Sequence, residues 1–453
     1  MKSRFRKTGL ALATCLVTGL VTGLTAVSAH SMNLLEAYQL ALDQDATIRA
    51  SRATLAAGRE RLPQARAQLL PSVQANFSRN TNDVDTTTPN FLGQDTTTNS
   101  NYKSFGNTVS LRQPLFSLQR YFQYEQAKDQ VADAEATHQR DLQELIVRVG
   151  GAYMEALLTE DQLKLVLAQK QQYTALVDAT QKALKAGTGT RTDIDDAQAR
   201  LDMSLAAELE ARQNKDFTRR QLEILVNQPV SAMSALNLTG FANLPAELPP
   251  LEAWLAQAQS GGPEVLALQA RLAAAEKEIS KAKSAHAPVL DGIAQWSDSG
   301  NENVTRQNSR FVTKSLGIQL VVPIYQGGYV SSQVRQAVAD KTRFEEALEA
   351  TRRDLNLRVH KEYRGVTEGV LKVRAMEQAV RSTEQLVMST NKSRLAGVRT
   401  MLDVLNAEQQ LAQVKRDLVQ ARYLYLMARL RLAALVGKPP LEAITEVAQA
   451  FKP

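Results

Sequence analysis

The side chains that could carry chemistry are few and dispersed in this chain of 453 residues. His30, His138, His286 and His360 lie far apart and show none of the short spacings that hold a metal. No glycine-rich phosphate loop and no nucleophile elbow occurs. Adjacent acids such as Glu345 and Glu346 sit among basic residues in helix-forming runs, the pattern of a solvated face. A hydrolase therefore finds no constellation to carry it, and no cofactor or metal is implied. What recurs is a glycine followed at fixed spacing by an acid and an alanine. Gly187, Asp193 and Ala197 return as Gly397, Asp403 and Ala407. Such residues offer ion-pair chemistry at a turn rather than bond breaking.

The first 29 residues read as a secretory signal peptide. Lys2, Arg4, Arg6 and Lys7 form a basic start, Gly9 to Val27 is uncharged and largely apolar, and Val27-Ser28-Ala29 places small residues before a cleavage site. The single cysteine, Cys15, lies inside this segment, and Leu12-Ala13-Thr14-Cys15 is a poor lipoprotein box. The expected mature chain has no thiol. The segment carries four basic and no acidic residues, so the formal net charge of +7 falls to +3 without it. Near-balanced charge gives no support to a nucleic-acid partner. Beyond the signal, no apolar run approaches the ~20 residues of a membrane-spanning helix.

The rest of the chain is written twice. Leu35-Glu36-Ala37-Tyr38 returns as Leu251-Glu252-Ala253-Trp254, Gln113-Pro114-Leu115-Phe116 as Val322-Pro323-Ile324-Tyr325, and Leu225-Val226 as Leu435-Val436. The first repeat is expected over 30–240 and the second over 241–440, with 441–453 as a C-terminal tail. Each begins with a helix, Leu34 to Leu69 or Leu251 to Ser284. A β-hairpin follows at about 71–113 or 288–323, and then long helices at about 116–227 or 326–437. A stretch rich in Thr, Asn and Asp, roughly Asn80 to Asn101, reads as a longer hairpin loop in the first copy. No proline falls between Pro114 and Pro229 or between Pro323 and Pro439. Phe116 to Ala186 could then run as one helix of roughly 105 Å, which only a bundle or coiled coil can support.

The hairpins alternate with a period of two, the mark of a strand with one apolar and one polar side. Val73, Ala75 and Phe77 alternate with Gln74, Asn76 and Ser78; Leu316, Ile318 and Leu320 alternate with Gly317 and Gln319. Alternation alone fits either a soluble sheet on helices or a transmembrane barrel. Export, paired copies and very long helices favour the barrel. Four strands cannot close one, and open edges are not tolerated in lipid. Two chains would give eight strands and a filled interior, and three would give twelve and a lumen.

The run Pro323-Ile324-Tyr325-Gln326-Gly327-Gly328-Tyr329-Val330-Ser331-Ser332-Gln333-Val334 resembles the strand-to-helix junction of the TolC-like outer-membrane efflux and secretion family. Gly397 to Ala407 resembles its helix-turn motif, with Gly187 to Ala197 as a weaker twin. The resemblance spans Asn33 to Pro440 and implies an α+β fold. In it, a homotrimer builds a 12-stranded barrel in the outer membrane of a Gram-negative cell, continued by an α-helical coiled-coil tunnel through the periplasm. It implies outer-membrane lipid, a periplasmic adaptor, and an inner-membrane ABC transporter or proton-driven pump as partners. The chain would be a passive conduit for type I protein secretion or drug efflux. A pore-less periplasmic adaptor or scaffold is the rival, and it needs no membrane-length hairpins.

The same resemblance assigns a periplasmic gate. Arg399 would bind Thr192 and Asp193 of the other repeat next to the helix-turn glycines Gly187 and Gly397. Asp403 would face the pore constriction. The position three residues on, often a second acid in the family, is Asn406 here, with Asp195 and Asp196 as nearby acids. Arg394 stands where the family carries an aromatic residue.

Overall fold

The structure is a computed structural model that describes residues 31–242, 244, 248–302 and 307–451. The expected signal peptide, and His30 after it, lie outside the described residues. Asn33 opens α1 (Leu34–Gln44) with a capping box: its Oδ1 accepts the Glu36 N–H at 2.8 Å and the Glu36 carboxylate reaches back. The expected single helix from Leu34 to Leu69 is three: α1, α2 (Ala46–Arg59) and α3 (Arg61–Ala67). Asp45 causes the first break, because its side chain accepts the Ile48 N–H and starts a new helix. In the second copy Gly262-Pro263 divides the corresponding segment, since Pro263 supplies a helix start and no donor.

Strand β1 (Ser72–Pro89) pairs antiparallel with β2 (Asp95–Phe116) from Ser72↔Arg112 up to Pro89↔Asp95. The Asn80 to Asn101 stretch is therefore mostly strand, and the turn is short. Gly93 takes φ +75° there, and Asn90 Oδ1 accepts the Leu92 and Gln94 N–H groups. Thr is β-branched and suits a strand, and polar side chains brace each other across the pair: on one face Thr87 and Thr97 at 2.9 Å and Asn99 Nδ2 to both Asp83 and Asp85 at 2.8 Å, and on the other Asn82 Nδ2 to Ser104 Oγ at 3.0 Å. Pro114 does not end β2; the strand continues to Phe116 across a register shift.

From Ser117, which caps it, α4 (Leu118–Lys185) runs 68 residues, about 100 Å. A turn at Gly187 leads to α5 (Arg191–Val226), which returns along it. Short helices α6 (Leu238–Ala242) and α7 (Leu251–Gly261) precede α8 (Pro263–Lys283). Then β3 (Val289–Asn301) and β4 (Ser309–Val321) complete one sheet in the order β1-β2-β3-β4. The second copy ends with α9 (Tyr329–Leu395, 67 residues), a turn at Gly397, α10 (Met401–Leu435) and α11 (Pro440–Ala448).

α4 packs on α5 and α8, and α9 on α8 and α10. The main core sits where Leu145, Ile146, Val149 and Tyr153 of α4 meet Leu426 and Leu430 of α10, ringed by α1 and α11. Gly150 permits this approach, because a Cβ there would overlap Leu430 Cδ2. The stretch beyond 440 is no loose tail. Phe451 is fully buried edge-on to Tyr153, whose hydroxyl donates to the carbonyls of Met32 and Ser234. Glu446 of α11 accepts from Arg429 and Lys438.

Candidate functional site

Two regions could move matter or ions: the strand faces at one end of the molecule and the helical turns at the other. Opposed residues of an antiparallel sheet share a face. One cross-strand row is Val73, Leu111, Ala294 and Leu316; the row beyond the next is Ala75, Val109, Trp296 and Lys314. The intervening row on the opposite face is Gln74, Ser110, Gln295 and Ser315, followed by Asn76, Thr108, Ser297 and Thr313. The apolar rows lie open: Val73 is 64 %, Phe77 70 % and Leu316 88 % exposed. Isolated large apolar residues on a surface are ordinary, but a whole sheet face of them requires a cover. The polar face carries one buried charge, Asp291, held by Arg112 at 2.5 Å near the helices.

At the far end, each long helix stops in a Schellman turn. Gly187 has φ +72°, and the Gly187 and Thr188 N–H groups donate to the carbonyls of Leu184 and Ala183. Gly397, at φ +77°, repeats this with Arg394 and Ser393. The next helix starts in a capping box each time. Thr190 Oγ1 accepts the Asp193 N–H at 3.1 Å, and Asp193 Oδ2 accepts the Thr190 N–H at 3.0 Å. Thr400 and Asp403 do the same at 3.2 and 2.9 Å. The recurrent acid is thus first a helix-start residue. The Thr400 N–H and hydroxyl, aided by Arg399, hold the Asp403 carboxyl below its usual range.

The residues expected at the gate share this tip but do not make the expected contacts within one protomer. Arg399, in the turn before α10, lies 3.7 Å from Asp403 in that helix's first turn. Among the described residues no hydrogen bond or ion pair joins it to Thr192 or Asp193; Thr192 is exposed in the first turn of α5. Asp195 pairs with Arg191 at 3.2 Å, and Arg394 donates to Asn391. Near this tip the two repeats are tied by Arg200 of α5, which the sequence reading missed. Its Nη2 donates to Asn406 Oδ1 at 3.1 Å and its Nη1 to Gln409 Oε1 at 3.0 Å, both on α10. The signal was available: Arg200 stands seven residues after Asp193, on the same helix face. Glu408 lies close by, its carboxyl pushed up by burial and opposed by Arg200.

A sheet with one bare apolar face, one polar face and two open edges, joined to helices about 100 Å long, describes one protomer of an outer-membrane channel. Comparison with known proteins agrees. The family described as outer membrane efflux protein matches residues 37–228 and 254–438, and the chain belongs to it. The chain is 35 % identical to the alkaline protease secretion protein AprF of Pseudomonas aeruginosa, over 90 % of this chain and 85 % of that one. It is 29 % identical to the outer membrane protein TolC of Escherichia coli, over 92 % and 84 %. The fold is that of the Campylobacter jejuni CmeC outer membrane channel, with a TM-score of 0.78 at 15 % identity over 94 % and 91 % of the two chains. The chain is accordingly a subunit of a trimeric outer-membrane channel that extends into the periplasm, with twelve strands in the shared barrel.

Proposed function

We propose that this channel is the outer-membrane conduit of a protein-secretion machine, and that it passes an unfolded polypeptide, a protease among its cargoes. The observation that carries this reading is the match along most of both chains to two proteins named for protease secretion, the second being PrtF of Dickeya chrysanthemi at 30 % identity. The lumen face fits such cargo. Its rows of Ser, Thr, Asn and Gln offer hydrogen bonds without a fixed charge pattern, so they hold a chain weakly at many points. The conduit itself is passive. Its partners on this reading are a periplasmic adaptor, docked along the helical tunnel, and an inner-membrane ABC transporter that supplies energy. Deleting the encoding gene should abolish extracellular protease and leave susceptibility to small toxic compounds nearly unchanged. Loss of drug resistance with normal protease secretion would overturn the reading in favour of efflux.

The gate on this reading is the tip, where Gly187 and Gly397 turn the chain. Arg399, Thr192 and Asp193 lie there, with Asp403 and Asn406 at the constriction. Arg399 is mostly exposed and is tied to Asp403 at only 3.7 Å, so its guanidinium is available to carbonyls and carboxylates of a neighbouring protomer in the closed state. Substituting Arg399→Ser should raise single-channel conductance in a planar bilayer, and unchanged conductance would refute the assignment.

A further inference from the structure

The outward face of the sheet is not apolar to its end. Toward the hairpin turns, one row reads Arg79, Phe105, Gly300 and Arg310, and the outward row beneath it reads Phe77, Asn107, Asp298 and Val312. These residues are knit across all four strands. Arg79 lies over the Phe105 ring at 5.2 Å and donates to Asn107 Oδ1 at 3.0 Å. Arg310 grips Asp298 with both edges of a fork, Nε to Oδ1 at 2.7 Å and Nη2 to Oδ2 at 2.9 Å. Lys314 follows one outward row lower, opposite Trp296. Three cations meet one carboxylate. Asp298 is nearly covered while the Arg310 side chain stays 68 % exposed, so the acid sets the guanidinium's direction without hiding it.

Height in the membrane decides what faces this belt. Ten residues of β3 separate Leu290, at the helix end of the apolar face, from Gly300. At ~3.3 Å per residue and the ~40° tilt of barrel strands, that is about 25 Å, the thickness of the apolar band of an outer-membrane barrel. The belt therefore lies at the far headgroup level, and Lys314 reaches it by extending upward. The next outward row adds Lys103 opposite Thr81, and only beyond it does the outward face change sign, with Asp83 and Asp85 held together by Asn99. An anion is thus attracted at the belt and repelled two rows beyond it.

We propose that Arg79, Arg310 and Lys314 bind the phosphate groups of lipids in the outer leaflet, fixing the barrel's height and its lipid neighbours. This rests on the outer-membrane channel reading given above. Arginine forks and lysine ammonium groups are the usual partners of phosphate oxygens. The test uses the full trimer in phosphatidylcholine nanodiscs, titrated with phosphatidic acid and read by native mass spectrometry. The wild type should bind phosphatidic acid about tenfold more tightly than the Arg79→Gln/Lys314→Gln variant, with inorganic phosphate failing to displace it. Equal binding by both proteins would overturn the proposal, and so would displacement by millimolar inorganic phosphate, which would mark a free-anion site. Arg310 is kept because Asp298 depends on it. If the double variant does not assemble, Lys314→Gln alone should lower affinity about threefold, and no change would refute the belt. Both proteins should conduct ions equally. A wild-type trimer that never conducts would count against the channel, independently of the lipid result.

Discussion

Replacing Arg200 with Ala removes the two hydrogen bonds that join α5 to α10 near the tip, to Asn406 at 3.1 Å and Gln409 at 3.0 Å. Both acceptors are neutral and exposed, so each clasp contributes about 0.5–1 kcal/mol, the range of solvent-exposed polar contacts with one charged partner. Three protomers carry three clasps. If the tip opens as a unit, the closed state loses about 1.5–3 kcal/mol. Since 1.4 kcal/mol is a factor of ten, the open-to-closed ratio should rise about 10- to 150-fold. The assay is single-channel recording of the purified trimer in a planar bilayer, with dwell times compared at fixed salt. Arg200→Lys, which keeps the charge but loses the fork, should fall between wild type and Arg200→Ala. An Arg200→Ala trimer with wild-type dwell times, shown intact by gel filtration, would refute the view that this clasp holds the tip.

Three other outcomes follow from the same structure. Leu316→Arg places a charge on the outward face and should cost about 2–4 kcal/mol of barrel stability, whereas Ser315→Arg on the lumen face should assemble normally; heat-modifiable migration on gels compares the two. Glu446→Ala takes the carboxylate from Arg429, whose side chain is 5 % exposed, and should destabilise the helical core by about 3 kcal/mol in denaturant unfolding. Asp45 is nearly buried, which pushes its carboxyl up, yet the Ile48 N–H and Arg148 outweigh this and leave it below the usual value. Its contribution is therefore complete above the unfolded value of about 3.9 and lost as pH falls through the folded value, and Asp45→Asn should flatten that part of an acid-unfolding profile.

The parts of the fold legible in the sequence are those set by period and by breakers. Alternation gave the strand faces, since Val73, Ala75 and Phe77 do share one side with Leu111, Val109 and Leu316. Absence of proline gave the long helices to within a few residues at each end. The misreadings share one cause, weighting residue type over local hydrogen bonding. The Thr- and Asn-rich stretch looked like loop because polar residues mark turns, but beyond the membrane both faces of a hairpin meet water and no longer need to alternate. Asp45 has the composition of an ordinary helical residue, yet its carboxylate caps a new helix. At the tip, the sequence marks Asp193 for the gate and Asp403 for the constriction by their resemblance alone; that each also caps its own helix through a threonine is a local hydrogen-bonding role the resemblance does not convey.

This dual use of the acids bears on how such a tip can open. A carboxylate accepting a backbone N–H and a hydroxyl at its own helix start is held in place whether the tip is closed or open. It therefore contributes a fixed negative potential more than a switch. What can change between states is a contact between repeats or protomers, and the one described within this chain at the tip is the Arg200 guanidinium on two amide side chains. An amide acceptor carries no charge to screen. The share of the closed state held by the Arg200 clasp should therefore depend only weakly on ionic strength, whereas any share held by Arg399 on carboxylates of a neighbouring protomer should loosen as salt shortens the screening length to ~3 Å at 1 M.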